Sequence, residues 1–86
     1  MEPDREFVWR CKLNGLQNPG RTRLSVVRRV FTLSVEFHAE DVVASFEADP
    51  SRVSRSTAYR TLDLMASVGM LSKHGRYFSR GSLTDE

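Results

Sequence analysis

Cysteine is almost absent from this chain: Cys11 is the only one among 86 residues. A single thiol forms no internal disulfide and no cysteine-rich zinc site, and its scarcity points to an intracellular, cytoplasmic chain. Long apolar runs are missing as well. Phe7-Val8-Trp9 is typical of what there is, far short of the ~20 residues that cross a bilayer, so no membrane association is expected. No basic start leads into an apolar stretch, so no secretory signal is expected. The histidines are two, His38 and His74, too far apart and too poorly accompanied to form a zinc pattern. Neither metal nor any other cofactor is expected. No serine, histidine or aspartate stands in a nucleophile motif. A chain this short buries only about 60% of its unfolded surface, enough for one modest core and too little for an enclosed active site. An enzyme is therefore not expected. Internal repeats and low-complexity segments are absent too. With 40% apolar and 28% charged residues, the composition is that of one soluble domain over residues 1–86, its polar end from Gly81 to Glu86 expected to fray.

What the sequence does have is an ordered distribution of charge. The net charge is only +2, yet from Asn18 to Leu33 there are four arginines, Arg21, Arg23, Arg28 and Arg29, and no acid. From Ser34 to Arg52 five acids, Glu36, Glu40, Asp41, Glu47 and Asp49, face one base. From Val53 to Arg80 five bases, Arg55, Arg60, Lys73, Arg76 and Arg80, face Asp63 alone. If the two basic segments meet in space they form one basic face, suited to phosphate backbones or an anionic surface. A solvated surface of mixed charge is the alternative reading of the same pattern.

The apolar periodicity predicts four helices. The first runs from Pro3 to about Asn14, with Phe7, Val8 and Cys11 on one side and Gly15 as its stop. The second covers Pro19 to Leu33, with Leu24, Val27 and Phe31 on its apolar face beside Val26 and Val30. Asn18-Pro19 or a later Thr22 would cap it. The third spans Ala39 to Ala48 on Ala39, Val42, Val43 and Phe46, ended by Asp49-Pro50. The fourth begins after Ser54 or Ser56, buries Ala58, Leu62 and Met65, and ends at Gly69. Met70–Lys73 and Arg76–Ser79 then read as two strands around a His74-Gly75 turn. This order is mainly α with a small β-hairpin, a winged helix-turn-helix. In that fold the second helix of the pair, here the fourth, lies in the major groove of DNA.

The segment from Ser54 to Leu71 resembles the recognition helix of the ferric uptake regulator family. The resemblance lies in the pattern Thr-x-Tyr-Arg-x-Leu at Thr57–Leu62, followed seven residues later by Gly69-Met70-Leu71. Ala39-Glu40-Asp41 is similar to the family's Ser-Ala-Glu-Asp helix opening, with His38 in place of the serine. Gly20-Arg21-Thr22-Arg23 with Leu24, Val26 and Val27 resembles its second helix. The similarity covers roughly Leu16 to Phe78, the family's N-terminal DNA-binding half. It implies a sequence-specific transcriptional regulator whose partner is double-stranded DNA. The 86 residues hold no His-rich segment or Cys-x-x-Cys pair like those of the family's second, metal-binding and dimerising domain, so metal regulation is not expected to carry over. Glu36 falls where the family has a sensing histidine, and one carboxylate makes no site. The expected assembly is a monomer or a weak homodimer, its self-contact on the first helix, where Phe7, Val8, Trp9 and Leu13 cannot all face inward.

The residues expected to hold DNA are Arg21, Arg23, Arg55, Ser56, Thr57, Tyr59, Arg60, Lys73 and Arg76. Tyr59 and Arg60 lie off the apolar face of their helix. Arginine grips guanine O6 and N7 in bidentate fashion, and a tyrosine offers its ring to a thymine methyl and its hydroxyl to a phosphate. Arg55, Ser56 and Thr57 sit in a first helical turn, whose amides and hydroxyls favour phosphate. Lys73 and Arg76, with Arg80, would reach neighbouring phosphates or the minor groove from the wing. Arg21 and Arg23 belong to the other basic segment. The competing reading is a winged-helix module that docks a protein and reads no DNA.

Overall fold

The computed structural model describes residues 2–47, 49 and 53–80. Helix α1 spans Pro3–Leu13, α2 Arg21–Val30, α3 Ala39–Ser45 and α4 Arg55–Ser67. Three strands, β1 (Glu36–His38), β2 (Leu71–His74) and β3 (Tyr77–Arg80), form an antiparallel sheet in the order β1-β3-β2. The architecture is a winged helix. Strand β1 is an addition to the expected hairpin.

Helix α1 starts with Pro3 in its first turn, where the missing N–H costs nothing. Asp4 and Glu6 lie at its positive end and Arg10 and Lys12 at its negative end. Phe7 and Cys11, one turn apart, are buried. The helix closes as expected at Gly15, which has φ +71°: Leu16 N–H reaches Cys11 O at 2.9 Å and Gly15 N–H reaches Lys12 O at 3.1 Å.

Three boundaries and one stripe differ from the sequence reading: both ends of α2, which closes at Val30 and not Leu33, and the end of α3. Helix α2 begins at Arg21 after an extended Gly20, with no side-chain cap, so neither Asn18 nor Thr22 caps it. Its buried residues are Val26, Val27 and Val30, while Leu24 and Phe31 are half-buried. The stripe is rotated because α2 packs against α1, α3 and α4 at once. Helix α3 stops at Ser45, before Asp49-Pro50. There Arg29 donates to Ser45 O and lies 4.2 Å above the Phe46 ring, supplying the partner that another turn of helix would have given. The expected end at Ala48, and the tail Gly81–Glu86, lie outside the described residues.

The hairpin turn is Gly75-Arg76, one residue later than expected, with Gly75 at φ +64°. His74 therefore ends β2 and Arg76 stands at the tip, outside β3. The shift follows from the register: β3 pairs on both sides, Phe37 with Phe78 toward β1 and Lys73 with Phe78 toward β2. The Phe37 and Phe78 rings stack at 5.9 Å, joining the sheet to the core formed with Phe7, Val42, Leu62 and Met65.

Candidate nucleic-acid interface

Helix α4 owes its start to Ser54. The Ser54 Oγ accepts the Thr57 N–H at 3.2 Å and its hydroxyl donates to Thr57 Oγ1 at 2.9 Å, so Ser54 and not Ser56 is the cap. The N–H groups of Arg55 and Ser56 have no partner among the described residues, as the first turn of a helix dictates. The inner face buries Ala58, Thr61, Leu62 and Met65. Thr61 satisfies its buried hydroxyl by donating to Thr57 O at 2.8 Å.

The end of α4 is equally well defined. Gly69 has φ +86°, Met70 N–H bonds Met65 O at 2.9 Å, and Gly69 N–H bonds Ala66 O at 3.1 Å. Arg10 from α1 donates to Val68 O at 2.9 Å while its Nε holds Glu6 at 2.6 Å. The junction between α4 and the wing is thus pinned from outside.

On the outer side, Arg55, Tyr59 and Asp63 follow one another at helical intervals of four. That stripe faces the first turn of α3 and the wing. Glu40 of α3 accepts, at the same oxygen Oε2, a hydrogen bond from Arg55 Nη1 and one from the Tyr59 hydroxyl. Donating to a carboxylate holds the Tyr59 phenol above its ordinary value of 10, with desolvation and the Glu40 charge adding to the shift and Arg55 opposing it. One turn on, Asp63 Oδ1 holds Lys73 Nζ at 3.3 Å. On the wing, Arg76 O meets His38 Nδ1 at 3.2 Å, and His74 stacks on Tyr77 at 5.0 Å. His38 caps α3, its backbone N–H held by Asp41 Oδ2 at 2.8 Å. A groove of about 350 Å³ lies between these parts, lined among others by His38, Glu40, Tyr59, Asp63, Lys73 and Arg76.

The structure therefore brings together Arg55, Tyr59, Lys73 and Arg76. Arg60 and Ser56 stand beside them on α4, exposed, and Arg60 has no hydrogen bond or ion pair among the described residues. Thr57 is half-buried and its hydroxyl serves the cap. Arg21 and Arg23 lie on the first turn of α2 and do not line the groove. Arg23 acts instead on the buried Cys11 thiol. The acidic middle segment does not stay apart from the basic ones. Glu40 binds Arg55 of one, and Asp49 binds Arg29 of the other. Glu40 and Asp63 are the site residues the sequence reading left out. The spacing 55, 59, 63 on one helix marks Asp63, whereas only folding reveals Glu40.

The profile of the ferric uptake regulator family matches residues 18–80, spanning α2 through β3. No curated protein matches significantly. With most of its length covered by that profile, and with the winged-helix fold in place, the chain belongs to the ferric uptake regulator family.

Proposed function

We propose that this domain is a sequence-specific, double-stranded-DNA-binding regulator of transcription acting in the cytoplasm. The observation that carries the reading is the outer side of α4. There Arg60, exposed and without a partner among the described residues, stands next to Tyr59, beside a groove edged by Lys73 and Arg76. With α4 in the major groove, Arg60 grips guanine O6 and N7, and the Tyr59 ring packs on a thymine methyl. The amides of Arg55 and Ser56, without a partner among the described residues, receive a phosphate at the positive end of the helix, with the Ser56 hydroxyl alongside. Lys73 and Arg76 hold the flanking backbone, and Arg21 a more distant phosphate. Helix α1, with Trp9 and Leu13 exposed, takes no part in this reading. That face is where a weak second copy would meet the first.

The test is fluorescence anisotropy with genomic fragments at two salt concentrations, followed by selection from a random duplex library. Arg60→Ala and Tyr59→Ala are expected to cost roughly 1–3 kcal/mol of discrimination between bases. Lys73→Ala and Arg76→Ala are expected to weaken all sequences alike and to flatten the salt dependence. Replacement of both Tyr59 and Arg60 in a folded protein without effect on affinity or preference refutes the reading. The protein-docking alternative would then stand, favoured by the pairing of Arg55 and Lys73 with acids.

A further inference from the structure

Two cations of the interface are already occupied, and one of them shares its partner with the tyrosine. Glu40 stands exposed on the first turn of α3, and one of its oxygens takes both the Arg55 guanidinium and the Tyr59 hydroxyl. A carboxylate at the mouth of a phosphate-binding surface opposes DNA by its charge. The same carboxylate fixes two long side chains that would otherwise sample many rotamers, and it gives them a common orientation.

We propose that Glu40 is a positioning residue for sequence reading: it sets Tyr59 and Arg55 as one unit facing the groove, and it lowers general affinity for DNA so that base contacts decide binding. This inference rests on the DNA-binding reading above. Without Glu40, Arg55 is a free cation that binds any phosphate, and Tyr59 swings without a fixed hydroxyl. Asp63 acts on Lys73 in the same direction at the other end of the stripe, but it touches no group assigned to base reading.

Glu40→Gln removes the charge while keeping an oxygen for the Tyr59 hydroxyl. Glu40→Ala removes both. With a fluorescein-labelled duplex of mixed sequence as probe, each variant frees Arg55 for one more phosphate contact, which steepens the dependence of log K on log salt by about 0.9. The ratio of variant to wild-type affinity is then expected to rise from near one at 1 M salt to about eightfold at 0.1 M. In selection from a random duplex library, Glu40→Ala is expected to blur the positions that Tyr59→Ala also blurs, and Glu40→Gln to keep them. A readout without DNA is the ultraviolet titration of the Tyr59 phenol, which is expected to fall toward 10 in Glu40→Ala. Should the alanine variant fail to fold, Glu40→Gln carries the salt test by itself. Unchanged salt slopes and motifs in folded Glu40 variants, with Arg60→Ala still losing discrimination, overturn the inference and leave the DNA-binding reading intact. An unshifted phenol titration overturns it as well. Wild-type protein that neither binds the probe nor selects a motif overturns both.

Discussion

Substituting Gly69 with alanine tests how helix α4 is joined to the wing. Two separate terms oppose the change. The backbone at Gly69 has φ +86°, a conformation that costs an L-residue about 1–2 kcal/mol. In addition, a Cβ there would stand 2.9 Å from Arg10 Nη1, the atom that donates to Val68 O. The guanidinium is the far end of a flexible side chain and can retreat, but only by giving up that hydrogen bond. Bonds from charged donors contribute about 1.5–3 kcal/mol. The Arg10 side chain is 36% exposed, so water recovers part of this and about 1 kcal/mol is lost. The sum is about 2–3 kcal/mol, a fall of roughly 10–20 °C in Tm for a domain of this size. The assay is urea and thermal unfolding of Gly69→Ala in two backgrounds, wild type and Arg10→Met. In the second background the guanidinium is already gone and only the backbone cost of about 1–2 kcal/mol remains. An equal loss in both backgrounds, or a loss below about 0.5 kcal/mol in the wild type, refutes the reasoning.

Leu62→Ala, at a fully buried site, is expected to lose about 2–5 kcal/mol in denaturant unfolding, whereas Trp9→Ala, at a site 53% exposed, is expected to stay within about 0.5 kcal/mol. Iodide should quench Trp9 fluorescence in the folded protein nearly as well as in the unfolded one. Ser54→Ala removes the cap of α4 and is expected to cost about 1 kcal/mol, read by the same unfolding curves. Burial pushes the Cys11 thiol above its ordinary value of 9.0, with Arg23 opposing the shift. The folded state therefore favours the neutral thiol: its contribution to stability is present below pH 9 and is lost as pH rises through the folded value. Reaction of Cys11 with a thiol reagent at neutral pH is expected to follow the rate of unfolding, and a fast reaction in the folded state would contradict its burial.

Features written in local chemistry were legible in the sequence. Gly15 and Gly69 end their helices as expected, Gly69 in the left-handed conformation read for it, and Ser54, one of two candidate caps, makes the bond a cap must make. Phe7, Cys11, Leu62 and Met65 are buried as their spacing requires. Features set by distant partners were not legible. Strand β1 has a single apolar residue, Phe37, between Glu36 and His38, too little for a period of two to register. Its existence depends on β3, which is also what moves the hairpin turn by one residue. The end of α3 depends on Arg29, from another helix. At the candidate interface, Tyr59 and Arg60 are exposed as the helical wheel required. Charge counting treated Arg55 and Lys73 as free cations because nothing in their local sequence announces Glu40 or Asp63 as partners.

The sheet order has a consequence for how the chain acquires its shape during synthesis. The middle strand, β3, comes last in sequence, and its partner β1 lies far upstream, with Glu36 opposite Ser79. As the chain leaves the ribosome, β1 and β2 both wait with open edges until Arg80 has emerged, since neither pairs with the other. Phe37 and Leu71 stay uncovered on that side for the same interval. Pairings of such long sequence separation form late and slowly, and they leave strand edges exposed in the meantime. Both waiting strands are short, and Glu36, Lys73 and the two histidines interrupt their apolar character, which guards them against pairing with a neighbouring chain. The helices can assemble early; the wing arrives in one late step, and with it the second wall of the groove that α4 faces.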